Sequence, residues 1–227
     1  MGILLLAAAG FFQLGLWQLG RLHERRTANR ITEQARLAPP VLLNDKAEGL
    51  DSLVEHRVIV RGRYDHQREI VVRGDVLQGV PGVRLFTPLL LSSAGPAILV
   101  DRGFLSTPDG VTVDLRDAAE PGEVELRGIV LPVPLGPGQP VEHGGRVTWR
   151  RLDLGALRER LPYAVLPMLV QQTPDSGLSR FPRRLDPPPI DDGPHLAYAV
   201  QWFLFAGLAA AFAFLVVGRA PSRRAPD

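Results

Sequence analysis

The sequence predicts a membrane protein in which two transmembrane helices flank a mainly antiparallel β domain of the α+β class, which lies outside the cytoplasm. Uncharged apolar runs stand near both ends of the 227-residue chain, and short runs with period-two alternation fill the region between them. These patterns divide the chain into helix 1 at 2–20, a β-rich extracytoplasmic domain at 21–194, helix 2 at 195–218 and a cytoplasmic tail at 219–227.

The first apolar run, residues 2–20, contains no charged side chain, and Gln13 and Gln18 are its strongly polar ones. Crossing the hydrocarbon core of a bilayer takes about 20 apolar residues in a helix. A cleaved signal peptide is the alternative, but it requires a basic segment before the apolar run and a small-residue cleavage site after it. Neither pattern is found, which favours an uncleaved helix. The missing basic segment suggests that the natural start lies upstream.

The second apolar run, residues 196–217, is also free of charge and consists mainly of Leu, Phe, Ala and Val. The arginines in the 219–227 tail favour a cytoplasmic C-terminus by the positive-inside rule, and the acidic residues that precede this run agree with that orientation. The arginines at 21–26 point the other way. Because long loops weigh little in this rule, we expect the central domain to lie outside the cytoplasm.

The region between the two runs is predicted to form a series of strands separated by Gly, Pro and Asp turns. Alternating or β-branched runs lie at 57–64, 69–73, 83–91, 97–105, 123–131, 146–152 and 168–172. A short amphipathic helix is predicted at 153–161, with Asp153 as its N-cap and Pro162 as its stop. Residues 21–36 are expected to continue the first helix into water. The pattern therefore predicts a sheet or barrel with little helix.

The composition excludes several classes of function. The chain has no cysteine, which excludes disulfides, thiolate metal sites, redox CxxC chemistry and covalent c-type haem attachment. Its arginines are scattered and its formal net charge is only +2, whereas a nucleic-acid surface requires a concentrated basic stripe. We therefore expect no nucleic-acid partner.

No catalytic constellation is recognisable in the central domain. The five histidines form no HxxH or HExxH pair, and neither a GxSxG elbow nor a phosphate loop occurs. We interpret Asp101-Arg102-Gly103 as a strand end with a buried or interfacial Asp–Arg pair before a glycine turn. The protein is therefore not expected to be an enzyme.

Polar and aromatic residues cluster where each span meets the same side of the membrane. His195, Tyr198 and Trp202 follow a spacing of i, i+3 and i+7, so they share one helix face. The first span ends in a comparable cluster, which consists of Trp17, Gln18 and Arg21. Since both clusters lie at similar depth, the two helices can bring them together, and these six residues form the candidate site.

Two interpretations of this candidate site stay open. Trp and Tyr are enriched at membrane interfaces, and Arg21 can snorkel, so the cluster reads as an aromatic belt. Such a belt does not call for His195, however, and a neutral imidazole is a good ligand for haem iron. In that interpretation the aromatic residues pack on the porphyrin and Arg21 meets a propionate.

The chain resembles the SURF1 (Shy1) family of cytochrome c oxidase assembly factors from one span to the other. The motifs that carry the resemblance are Leu14-Gly15-Leu16-Trp17-Gln18 with Arg21-Leu22, Arg57-Val58, Gly62-x-Tyr64, Gly82 with Thr87-Pro88-Leu89, Val100-Asp101-Arg102-Gly103-Phe104 and His195-x-x-Tyr198-Ala199-x-Gln201-Trp202-Phe203. Two positions depart from the family pattern: Phe104 replaces a usual Trp, and Glu24-Arg25 replaces a common Trp-Lys pair.

The resemblance implies a protein of the bacterial inner membrane whose central domain faces the periplasm. It further implies support of haem-copper oxidase maturation, by holding haem a and passing it to oxidase subunit I, with haem A synthase as a second partner. His195 corresponds to the residue taken to ligate the haem iron in that family. The alternative function is a cofactor-free scaffold that stabilises an early subunit I intermediate.

Overall fold

A computed structural model describes residues 2–45, 49–91, 95–133, 136, 138–143, 146–175, 178 and 180–218. The chain divides into two compact units, of which one comprises residues 1–33 with 189–227 and the other residues 34–188. The first contains the terminal helices and is called the helix pair below; the second contains the β domain. The predicted tail at 219–227 lies outside the described residues.

Two helices dominate the helix pair: α1 spans Gly2–Leu37 and α3 spans His195–Gly218. Both are long and apolar enough to cross a membrane. At 1.5 Å per residue, the 36 residues of α1 exceed the ~30 Å hydrocarbon thickness, so the helix must project beyond a bilayer that it crosses. The helix passes residue 20 without a break, as expected if residues 21–36 extend the first span beyond the membrane. The bounds of the predicted domains stay predictions.

Among its described residues, the β domain contains nine strands and one short α-helix. Along the chain they are β1 (Val41–Leu42), β2 (Arg57–Tyr64), β3 (Ile70–Leu77), β4 (Val80–Leu90), β5 (Ala97–Ser106), β6 (Glu123–Pro132), β7 (Val141–His143), β8 (Arg146–Trp149), α2 (Leu154–Arg160) and β9 (Val165–Gln172). Six of the pairings are antiparallel, and β1–β2, β3–β8 and β5–β9 are parallel. The prediction of two apolar terminal helices around a mainly antiparallel α+β domain is confirmed.

Five of the strands close into a barrel. The sheet order is β1-β2-β6-β9-β5-β4-β3-β8-β7, and an additional pairing of β2 with β4 completes a ring through β6, β9 and β5. Taken in chain order, the ring strands follow the sequence 1-2-3-5-4 with the third and fifth parallel, which is the connectivity of the OB-fold barrel. Two residue pairs close the ring, Arg63 with Leu90 and Tyr64 with Leu89.

Alternating apolar residues of the ring strands fill the barrel. Val60, Ile98 and Val170 are fully buried in one cluster. A second cluster joins Phe86 and Trp149 to α2, which the sequence predicted. The Asp153 carboxylate caps α2 by accepting from the backbone N–H of Ala156 at 3.1 Å, as expected, and Pro162 follows the helix end.

The predicted burial of Asp101 and Arg102 is confirmed, but their placement at a strand end before a glycine turn was wrong. Both lie inside β5 and are buried, with exposed fractions of 3% and 0%. Neighbours in a strand point to opposite faces, so each meets a different partner: Asp101 pairs with Arg84, and Arg102 pairs with Glu69 and Glu120. The following Gly103 is not a turn but a strand residue with a φ of 114°.

Candidate functional site

The structure joins two of the six predicted site residues directly. The Nδ1 atom of His195 lies 2.9 Å from Oε1 of Gln18. Gln18 is only 8% exposed, although it lies in the uncharged apolar run at 2–20, and His195 is half-buried at the first position of α3. If the amide oxygen of Gln18 is the acceptor, the neutral tautomer of His195 has its proton on Nδ1 and its lone pair on Nε2.

Close approach of α1 and α3 positions this pair. Gly15 lies one turn before Gln18 and is buried; a Cβ added to it would come within 2.5 Å of the Phe203 ring. Glycine in an apolar helix allows two backbones to approach closely. Leu22, one turn after Gln18, is 5% exposed, so the three residues form one buried stripe on α1.

Hydrogen bonds from α1 also fix the segment that leads into α3. Arg26 Nε lies 2.8 Å from Oδ2 of Asp192, and the Asn29 amide donates to the Asp191 carbonyl at 2.8 Å and to Oδ1 of Asp192 at 3.1 Å. The hydrogen bond from Arg26 lowers the pKa of Asp192 below its usual value. Because this segment ends three residues before His195, these contacts help to set the position of its ring.

Within the described part of the chain, no hydrogen bond, ion pair or ring contact joins the four remaining predicted residues to this pair. Trp202 stacks on Phe11 with ring centroids 5.7 Å apart and 24° between the planes. Trp17 and Tyr198 are 56% and 47% exposed. The Nη1 atom of Arg21 lies 2.5 Å from Oε2 of Glu24, and that side chain is also half-exposed.

Five residues that position the site were not among the predicted ones. They are Phe11, Gly15, Arg26, Asn29 and Asp192. A spacing signal exists for the first two, because Phe11, Gly15 and Gln18 lie four and three residues apart on one face of α1. The contacts of Asp192 depend on the course of the segment before α3, for which the sequence carries no periodic signal.

A second polar cluster lies within the β domain around Arg102. Its Nη2 atom is 2.6 Å from Oε1 of Glu120, which also receives Nη2 of Arg184 at 2.8 Å. Its Nη1 atom is 3.4 Å from Oε1 of Glu69, and its guanidinium lies 4.8 Å from the ring centroid of Tyr64. Burial raises the pKa of Tyr64, which Arg102 partly opposes. The charges of this cluster are paired with one another, which is typical of a structural network.

Comparison with known proteins identifies the family. The family model described as the SURF1 family matches residues 5–207. The chain is 26% identical to the SURF1-like protein of Monosiga brevicollis over 218 residues, which covers 88% of this chain and 80% of that protein. It is 29% identical over 238 residues to Surfeit locus protein 1 of both Takifugu rubripes and Homo sapiens, covering 93% and 94% of this chain and 93% and 75% of those proteins. The chain belongs to the SURF1 family.

Proposed function

We propose that the protein is an assembly factor for haem-copper (cytochrome c) oxidase, which binds haem a and aids its insertion into subunit I. Haem is the cargo in this proposal, so it is held noncovalently, in keeping with a chain that has no cysteine. The protein is not an enzyme; haem A synthase supplies the haem and subunit I receives it. The hydrogen bond between Gln18 and His195 is the observation that carries the proposal.

The Gln18–His195 pair has the features of a haem-iron ligand with its supporting residue. A histidine that binds a metal usually donates its second ring N–H to an acceptor, which fixes the tautomer and the ring orientation. Gln18 Oε1 provides that acceptor at 2.9 Å and is itself held by burial. Nε2 of His195 is therefore the atom that would bind iron.

The surrounding residues suit the rest of a porphyrin. Trp202 is stacked on Phe11, and aromatic rings of this kind can pack on a planar macrocycle. Trp17 and Tyr198 keep about half of their surface accessible. The contact of Arg21 with Glu24 involves one of its three guanidinium nitrogens, and a propionate would be met by this side chain. The aromatic belt remains the alternative role for the Trp and Tyr side chains.

The proposed location is the bacterial inner membrane, with both helices spanning it and the central domain in the periplasm. Two apolar helices of sufficient length and the family membership support a membrane location. The arginine-rich sequence at 219–227 supports the periplasmic orientation of the central domain. Haem a would then be bound and passed on where the helices leave the bilayer.

Complementation of a deletion strain tests the proposal. We expect His195→Ala to lower the haem a content of subunit I severely, whereas His143→Ala, at an exposed histidine of β7, should restore it to the wild-type level. Full haem a content with His195→Ala would contradict the proposal. If subunit I still co-purified with a variant that never carries haem, and its assembly were normal, the cofactor-free scaffold would be the correct function.

A further inference from the structure

A basic groove of about 470 Å³ lies on the β domain. It is called the arginine groove here, and its charged lining residues are Arg73, Asp75, Arg84, Arg150 and Arg151. Apolar side chains complete it, among them Phe86 and Leu152. The groove is therefore a concave site with an excess of positive charge beside an apolar wall.

The strand register brings these arginines together. β3 and β8 run parallel, and Val72 is paired with Trp149, so Arg73 and Arg150 follow in neighbouring positions. The register of β3 with β4 shifts between Arg73 and Asp75, where Gly74 has a φ of 81°. A bulge of this kind redirects side chains and often occurs beside functional sites.

The backbone of Arg151, the last arginine of the groove, packs against Gly138. A Cβ added to Gly138 would collide with the carbonyl oxygen of Arg151, so the loop at this glycine passes directly against the Arg151 backbone. Only glycine permits such close approach. This packing fixes the position of the Arg151 backbone.

The charge of the groove is incompletely balanced. Arg84 pairs with the buried Asp101, and it lies 3.7 Å from Asp75. Within the described part of the chain, Arg73, Arg150 and Arg151 form no ion pair, and Nε of Arg73 is buried without a hydrogen-bond partner. Four guanidinium groups therefore face two carboxylates, and a buried donor without an acceptor is destabilising.

We propose that the arginine groove binds an oxyanion, a carboxylate or a phosphate, carried by an apolar body. Guanidinium groups match the planar geometry of these anions with two parallel hydrogen bonds. The anion would meet the terminal guanidinium nitrogens of Arg73 and Arg151. The apolar body would lie against Phe86 and Leu152. This inference rests on the β domain alone and is independent of the haem proposal.

Calorimetric titration of the full chain in a nonionic detergent tests this inference. The probes are acetate, phenylacetate, inorganic phosphate and phenyl phosphate. Comparing the affinities of the carboxylates with those of the phosphates identifies the anion, and comparing each phenyl compound with its parent anion tests the apolar wall. We expect saturable binding of at least one anion class, with the phenyl form tighter. Arg73→Gln combined with Arg151→Gln should weaken it by about tenfold or more.

Two further variants make the result decisive. Arg127→Gln removes an exposed arginine of β6 outside the groove and should leave the affinity unchanged. If the double variant does not fold, Arg150→Gln replaces it, because Arg150 is exposed. We expect Arg150→Gln to weaken binding of the anion as well. The inference is overturned if no probe binds saturably, if the groove variants bind as the wild type does, or if Arg127→Gln loses affinity equally.

Discussion

The cluster around Arg102 in the β domain and the polar contact in the helix pair differ in how fully their polar groups are paired. In the barrel, Arg102 is completely buried and its charge is met by Glu69 and Glu120. In the helix pair, the buried polar contact of Gln18 with His195 leaves one ring nitrogen for another partner, and Arg21 is half-exposed. The contrast indicates that the arginine of the Val-Asp-Arg-Gly motif maintains the fold, whereas the contact of His195 with Gln18 uses only one of the two ring nitrogens.

Removing the buried arginine should have the largest effect on stability. We expect Arg102→Leu to lower the free energy of unfolding by about 3–5 kcal/mol, because the buried Glu69 loses its arginine partner and Glu120 keeps only Arg184. Urea unfolding can be followed by fluorescence in a Trp17→Phe/Trp202→Phe background. Since the chain has three tryptophans, only Trp149 then remains, and it is buried in the β domain.

The matched control is an arginine whose ion pair is exposed. Arg61 lies 2.7 Å from Glu125, and both side chains are about half-exposed. Arg61→Leu should therefore cost only about 0.2–1 kcal/mol. Equal losses for Arg61→Leu and Arg102→Leu would contradict the structural role given to the buried cluster.

The strand glycine after Arg102 should be the next most sensitive position. Gly103 has a φ of 114°, and a Cβ there would collide with the carbonyl oxygen of Arg183. We expect Gly103→Ala to cost roughly 3 kcal/mol, because backbone strain and overlap add. Gly79→Ala, which has a φ of 81° but open space around the added Cβ, should cost only about 1–2 kcal/mol in the same unfolding assay. A larger loss at Gly79 would be inconsistent with this close approach.

Within the helix pair, a bulky residue at Gly15 should separate the helices. A leucine would overlap the Phe203 ring, whereas Gly20→Leu places its side chain in open space. Because the chain has no cysteine, spin labels can be attached to cysteines introduced at Ala9 and Ala210. Gly15→Leu should lengthen or broaden the distance distribution measured by electron paramagnetic resonance. An unchanged distribution, or the same change with Gly20→Leu, would refute close contact at Gly15.

The smallest expected effect concerns the ion pair before α3. The hydrogen bond from Arg26 lowers the pKa of Asp192, so the contact contributes above the usual aspartate pKa and is lost only as the pH falls through the lowered value. A carbon-13 NMR titration of the Asp192 carboxyl should show this low midpoint, and Arg26→Gln should move it upward. A midpoint that is the same in both proteins would show that Arg26 does not hold this carboxylate.

Local patterns allowed much of the fold to be predicted. The alternation in β2 and the capping of α2 by Asp153 depend on neighbours in the sequence, and both are found where they were predicted. The β3–β4 hairpin was less visible, because its turn uses Gln78 with a φ of 53° before Gly79, where Asn-Gly would be the usual signal. Ring closure through β2 and β4 and the three parallel pairings depend on long-range contacts without a local pattern.

The candidate site was also predicted where it depends on local patterns and not where it depends on long-range contacts. The ends of the two apolar runs were sufficient to predict that Gln18 and His195 can meet, and the structure joins them. The partner of Arg102 could not be predicted, because Glu120 lies 18 residues away along the chain and reaches it only through the course of the loop before β6. The role of the six residues in binding haem stays a prediction.

Haem binding by the purified protein tests most directly whether the helix pair forms a ligand site. The full chain would be produced together with haem A synthase, and bound haem a measured by absorption for the wild type, His195→Ala, Gln18→Leu and the control His143→Ala. We expect His195→Ala to abolish binding, and Gln18→Leu to lower it about 10–100-fold as for other supporting residues. Undiminished haem a in His195→Ala would contradict the assignment of His195 as the ligand.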